Sequence, residues 1–148
     1  MELSRALELN PSFAQAHSQY GLVLCFCGRA NEAFPHFDQA ERISPKDPFG
    51  WLAWFGRGWA HFFLGRFEEA AIAAKKAIVE EPSHAWSYVI ALAAYASGNQ
   101  HQSANEVLQE LLKVKKDFSI TFAKQTAPFD STRMAMITEA LLKAGVPE

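Results

Sequence analysis

The sequence predicts an all-α solenoid built from helix-turn-helix units. Three observations predict it. Six landmarks recur at an offset of 37 residues: Tyr20-Gly21, Gly28, Ala33, Phe37, Ala40 and Pro45 return as Arg57-Gly58, Gly65, Ala70, Ala74, Ala77 and Pro82. A fixed period of this length is the signature of a stacked repeat architecture. The landmarks are small residues, glycines and prolines, the types needed where two helices cross closely, where one must end, and where the next must stop. Finally, 148 residues with 49% apolar and 20% charged composition can bury a core of their own, roughly 70% of the unfolded surface, without disulfide or metal.

Within each unit, Gly21 and Gly58 permit close helix approach. Gly28 and Gly65 sit where the first helix needs a left-handed cap, and Pro45 and Pro82 stop the second helix. The connection SPKDPFG lengthens the first unit, and its Asp47-Pro48 reads as an N-cap followed by proline at the first helical position.

The spacing Gly-x6-Gly-x4-Ala-x3-(Phe/Ala)-x2-Ala-x4-Pro resembles the tetratricopeptide repeat. The resemblance implies a tetratricopeptide-type α-α superhelix of about three repeats, with a preceding half repeat and a C-terminal capping helix. In order along the chain, ELSRALELNP places Ala6 five residues before Pro11, as Ala40 precedes Pro45, so residues 1–13 read as the second helix of a truncated repeat. That start reads as a fragment of a longer protein. Residues 14–47 form one repeat and 51–84 the next. Residues 85–117 form a degenerate repeat, with Tyr88, Tyr95, Ala104, Leu108 and Leu111 at core positions; Gly98 comes one residue early and Lys116 replaces the proline. Residues 118–148 form a capping segment, with Asp130-Ser131 as N-cap and Met134, Ile137, Thr138 and Leu141 on one face. Gly145 and Pro147 end that helix. The cap is expected to cover the exposed face of the last repeat.

DFS at 117–119, the polar stretch with Pro128 and Asp130, and the closing LLKAGVPE give a narrower likeness. Together with RISPKDPF and WAHFFLGRFEEA, they resemble the C-terminal repeat region of bacterial adenylate/guanylate cyclase-type or winged-helix regulators. In that family the cyclase or DNA-binding domain precedes the repeats, so the resemblance implies a signalling context and no catalytic residue in this segment.

The charge and motif inventory points away from chemistry. A net charge of −2 gives no electrostatic reason to expect nucleic acid. Cys25 and Cys27 lie about 200° apart around a helix, cannot pair, and read as small residues in a reducing cytoplasm. The longest strongly apolar run, Trp86 to Ala96, is far short of the ~20 residues of a membrane span. His17, His36, His61, His84 and His101 are scattered without ligand spacing, so no metal or cofactor is expected. Gly56-Arg57-Gly58 lacks the third glycine of a dinucleotide loop, His61 standing there instead, and reads as glycine at a helix crossing. His61 occupies a position usually aromatic, and reads as a packed imidazole.

The inner surface remains. In the repeat family it is built from positions 2, 5, 9, 12 and 13 of each first helix. These map to Gln15, Ser18, Leu22, Cys25 and Phe26; Leu52, Phe55, Trp59, Phe62 and Phe63; and Trp86, Val89, Ala93, Ala96 and Ser97. None carries a cation or an Asn, which removes the clamp for a terminal carboxylate. Leu22, Phe26, Leu52, Phe55, Trp59, Phe62, Phe63, Trp86 and Val89 are the expected partner-binding residues. The groove would take an amphipathic or apolar segment of a protein, a peptide or another domain of the same chain. Equally, Phe118, Ile120, Phe122 and Phe129 of the tail could fold back and fill it. A small apolar ligand sensor and a self-associating homodimer are the alternatives.

Overall fold

The computed structural model describes residues 14–148; the half repeat assigned to residues 1–13 lies outside them. Among the described residues, eight α-helices and one short 3-10 turn, Ala30–Glu32, make up the regular structure, and no strand occurs. Helices α1 (Ala14–Phe26) and α2 (Phe34–Ile43) form the first antiparallel pair. The second is α3 (Trp51–Phe63) with α4 (Phe67–Glu80), and the third α5 (Ala85–Ser97) with α6 (His101–Val114). A short α7 (Ile120–Thr126) and a longer α8 (Ser131–Lys143) follow. The first helices α1, α3 and α5 pack side by side in one layer, and α2, α4 and α6 form the other.

One terminator ends α1, α3, α5 and α8. After α1, the Arg29 N–H donates to the Leu24 carbonyl and Gly28 N–H to Cys25, with Gly28 at φ +81°. The same pair of bonds follows α3, from Arg66 to His61 and from Gly65 to Phe62, with Gly65 at φ +77°. Such a cap satisfies carbonyls that the helix leaves unpaired, and requires one residue in the left-handed region. In the third pair Gly98 stays at φ −86° and Asn99 takes the left-handed position at φ +62°. The early glycine is therefore not the capping residue; asparagine is the side chain that tolerates this conformation best. Gly145, at φ +86°, ends α8 in the same way.

Asp47 differs from its expected role. Its carboxylate accepts from the Phe49 N–H at 2.8 Å and its carbonyl from Gly50, so it caps a separate turn. Helix α3 starts only at Trp51, leaving Pro48 outside the helix. Asp130 does cap α8, accepting from the Arg133 N–H at 2.9 Å, and Ser119 caps α7 through Phe122 at 3.0 Å.

The junction of the first two repeats is set by Phe37, which is fully buried. Its ring lies against Gly21 of α1 on one side and Gly56 of α3 on the other, and a Cβ at either position would overlap it. Gly58, by contrast, faces Ile90, where an added Cβ would come to 3.1 Å. Arg57 reinforces the junction: its Nη2 reaches Asp38 at 2.9 Å and Glu41 at 2.7 Å on α2, while the guanidinium covers Trp54 at 4.4 Å. Trp54 is thus half-buried between Arg57 and Lys76, rather than enclosed in the core of its repeat.

Two substitutions test the junction. Gly56→Ala should lower stability by about 1–3 kcal/mol through overpacking, overriding the ~1 kcal/mol that alanine otherwise adds within a helix. Phe37→Leu combined with Gly56→Ala should lose less than the sum of the two single losses, since the smaller side chain admits the methyl. Urea denaturation of the three variants measures that coupling, and strict additivity would show that the ring and glycine do not share a site.

Candidate functional site

The first helices meet in an aromatic ladder. His84 stands over Trp51 at 4.6 Å and edge-on to Phe55 at 4.7 Å; Phe55 meets Trp59 at 6.2 Å; Trp59 stacks on Phe63 at 5.6 Å with 12° between the planes. Trp86 on the next first helix lies 6.4 Å from Trp59. Steps of four residues along α3 set Trp51, Phe55, Trp59 and Phe63 in a row, and their edge-to-face and offset geometries are those that aromatic quadrupoles favour.

That face is not open. Phe129, from the strand-free link between α7 and α8, inserts among the rings at 4.9 Å from Phe26, 4.9 Å from Trp59 and 5.4 Å from Phe63. Phe118 closes on Trp86 at 6.0 Å and is itself buried. Trp59 retains 1% of its exposure, and Phe62 and Val89 are equally enclosed. The groove expected to present Leu22, Phe55, Trp59, Phe62 and Val89 to a partner is therefore interior surface, while Phe26, Leu52, Phe63 and Trp86 are half-buried at its margin. Of the two occupants weighed from the sequence, the chain's own tail is the one seated there.

The tail is held along its length. Helix α8 packs on α5 with Ile137, Ala140 and Leu141 buried. At its start the Arg133 guanidinium lies over Gly28, so closely that a Cβ there would collide with it, and Asp130 pairs with Arg133 at 2.7 Å. At its end Lys143 Nζ donates to Asn99 Oδ1 at 2.8 Å. Helix α8 thus packs chiefly on α5, the first helix of the last repeat, and runs from beside the cap of α1 to the cap of α5. The last residues return to α7: the Ile120 N–H donates to the Pro147 carbonyl at 2.8 Å, and Thr121 Oγ1 to Glu148 at 2.8 Å.

Burial pushes the Cys25 thiol up to about 12, and its sulfur points to the Gly56 carbonyl at 3.8 Å. Among the described residues no His, Cys, Asp and Glu cluster could hold a metal, and no helix is long and apolar enough to cross a membrane. His61 packs against Phe34 at 4.7 Å with a buried Nδ1 that has no partner.

Burial lowers the pKa of His36, His61 and His84 below the ordinary 6.5. Below that value the unfolded chain binds protons that the folded chain resists, so the stability contributed by neutral imidazoles is complete above 6.5 and is lost as pH falls towards the folded pKa values. Melting temperature should fall between about pH 7 and pH 5, and His61→Phe should make the decline shallower. Thermal scans of both proteins across that range check the slope; identical slopes would remove His61 from the account.

Residues 51–84 match the tetratricopeptide repeat profile. Comparison with curated proteins finds no match. Among solved structures, PilW, described as a widely conserved type IV pilus biogenesis factor, superposes with a TM-score of 0.73 at 18% identity, covering 94% of this chain and 66% of PilW. The chain thus spans just under two thirds of that relative. The first tetratricopeptide domain of human RPAP3 superposes with a TM-score of 0.65 at 18% identity, covering 92% of this chain and 98% of that domain. At this identity both likenesses concern the fold, and neither carries the narrower likeness to cyclase-type or winged-helix regulators. Residues 51–84 are thus a tetratricopeptide repeat, and the chain shares the helical solenoid fold of these two structures over nearly all its length.

Proposed function

We propose that this chain is a protein-interaction module regulated from within, its groove held by residues 118–148 until a partner segment displaces them. The observation that carries the reading is Phe129, seated among Phe26, Trp59 and Phe63 where an incoming side chain would bind. A tail helix packed on α5, with Phe129 ahead of it set against α1 and α3, has the form of a helix-in-groove ligand, and competition between it and a partner is a population shift set by their relative affinities. The partner would present what the tail presents, an amphipathic helix preceded by an aromatic residue. That requirement favours a protein segment, supplied by another protein or another domain of the same chain, over a small apolar metabolite. The cyclase-type or winged-helix setting and a cytoplasmic location extend this reading. They rest on the short sequence motifs and on the two free cysteines, Cys25 and Cys27.

Weakening the latch tests the proposal. Phe129→Asp with Arg133→Glu should raise hydrogen exchange in α7 and α8 while α1 to α6 keep their protection. A synthetic peptide of residues 118–148 added in trans should bind this variant and not the parent chain. If the variant loses protection throughout, or the peptide binds neither protein, the tail is a fixed part of the core and the groove has no partner.

A further inference from the structure

Helix α4 turns outward a face that nothing in the described chain covers. Ile72 is 52% exposed there and Val79 82%, although the inward side of the same helix is closed by buried Ala70, Ala73, Ala74 and Ala77. With Ile72 as the centre, Glu68 and Lys76 fall about 40° to either side of it and Glu69 and Lys75 about 60°. The stripe therefore reads acid, isoleucine, base, and reversed end for end it becomes its own complement. None of the four charged residues forms a salt bridge among the described residues. The two lysines lie over aromatic rings instead, Lys75 at 6.0 Å from Tyr95 and Lys76 at 4.2 Å from Trp54.

Shape follows the same symmetry. A hollow of about 630 Å³ at the acidic end is bordered by Gly65, Phe67, Ala71, Tyr95 and Gly98. One of about 420 Å³ at the basic end is bordered by Trp54, Lys76 and Val79. Gly65 lies seven residues before Ile72 and Val79 seven after. Reversal about Ile72 thus sets the most exposed apolar side chain of the helix opposite a glycine where an added Cβ would meet nothing within 4 Å.

We propose that α4 pairs antiparallel with α4 of a second copy of this chain, about a two-fold axis at Ile72. The two isoleucines meet at the axis. Val79 of each chain enters the hollow beside the partner's Gly65, and Lys75 and Lys76 oppose the partner's Glu68 and Glu69. This is an isologous contact, in which one patch serves both sides. It lies on the outer layer, away from the tail-filled groove, so it stands or falls separately from the proposed regulation.

Sedimentation equilibrium of the full chain and its charge variants decides the matter. The parent chain should be a dimer that weakens with salt. Lys75→Glu with Lys76→Glu, and separately Glu68→Lys with Glu69→Lys, should each weaken dimerisation on the order of tenfold or more, since like charges then face each other. Mixing the two variants should restore a 1:1 dimer, four lysines now facing four glutamates, and the fourfold swap within one chain should dimerise as the parent does. Circular dichroism should be unchanged in all of them; should the lysine variant fail to fold, the variant at the exposed Glu68 and Glu69 decides alone. A monomeric parent, a dimer indifferent to these charges, or a mixture that remains monomeric would overturn the proposal.

Discussion

The contact on which the rest of the solenoid depends is the Phe37 ring held between two glycines of neighbouring repeats. A repeat protein has no single centre, since each unit buries its apolar face only against the next. The relation between one unit and the next is therefore set locally, and here by Gly21 on one side of the ring and Gly56 on the other. Because both lack a side chain, α1 and α3 can approach the same ring from opposite sides. That fixes the spacing of the two first helices, and with it the separation of Phe26 from Trp59 that Phe129 bridges.

The second repeat then takes the concentration of aromatic residues, and its α3 does two opposite things. Its inner face makes the ladder from Trp51 to Phe63, which requires cover from water. Its Arg57, buried and paired with Asp38 and Glu41, faces the second-helix layer. The carboxylates remain half in solvent, so the pair costs less desolvation than a fully enclosed one, and the guanidinium also covers Trp54. Arg57 therefore acts more through packing and orientation than through net charge.

Much of this was legible in the sequence because repeats encode themselves in landmarks. The left-handed caps at Gly28 and Gly65, and the stop after α8 at Gly145, follow from the only residue type that adopts them without strain. Asn99 was hidden by its neighbour Gly98, since a glycine advertises freedom whether or not the chain uses it. Asp47 was misplaced because an aspartate caps an isolated turn and a helix with the same hydrogen bond. Gly56 reads as a glycine where helices cross, but which ring it admits needed Phe37, nineteen residues away, to be placed beside it. The nine groove residues could be grouped from their register, but their cover could not. Whether Phe129 falls among them depends on how far the chain doubles back after α7, a distance that no local period carries. The signal that existed was the run of Phe118, Ile120, Phe122 and Phe129 in a stretch with no repeat to bury them.

Enclosure of Trp59 also changes what sequence variation among relatives would mean. In an open groove, substitutions track the partner, and positions that vary mark changes of recognition. Here Trp59, Phe62 and Val89 are bound by the volume of the tail. Variation at these sites would be matched within the same chain, by compensating changes at Phe129 and along α8, before it could follow any other molecule.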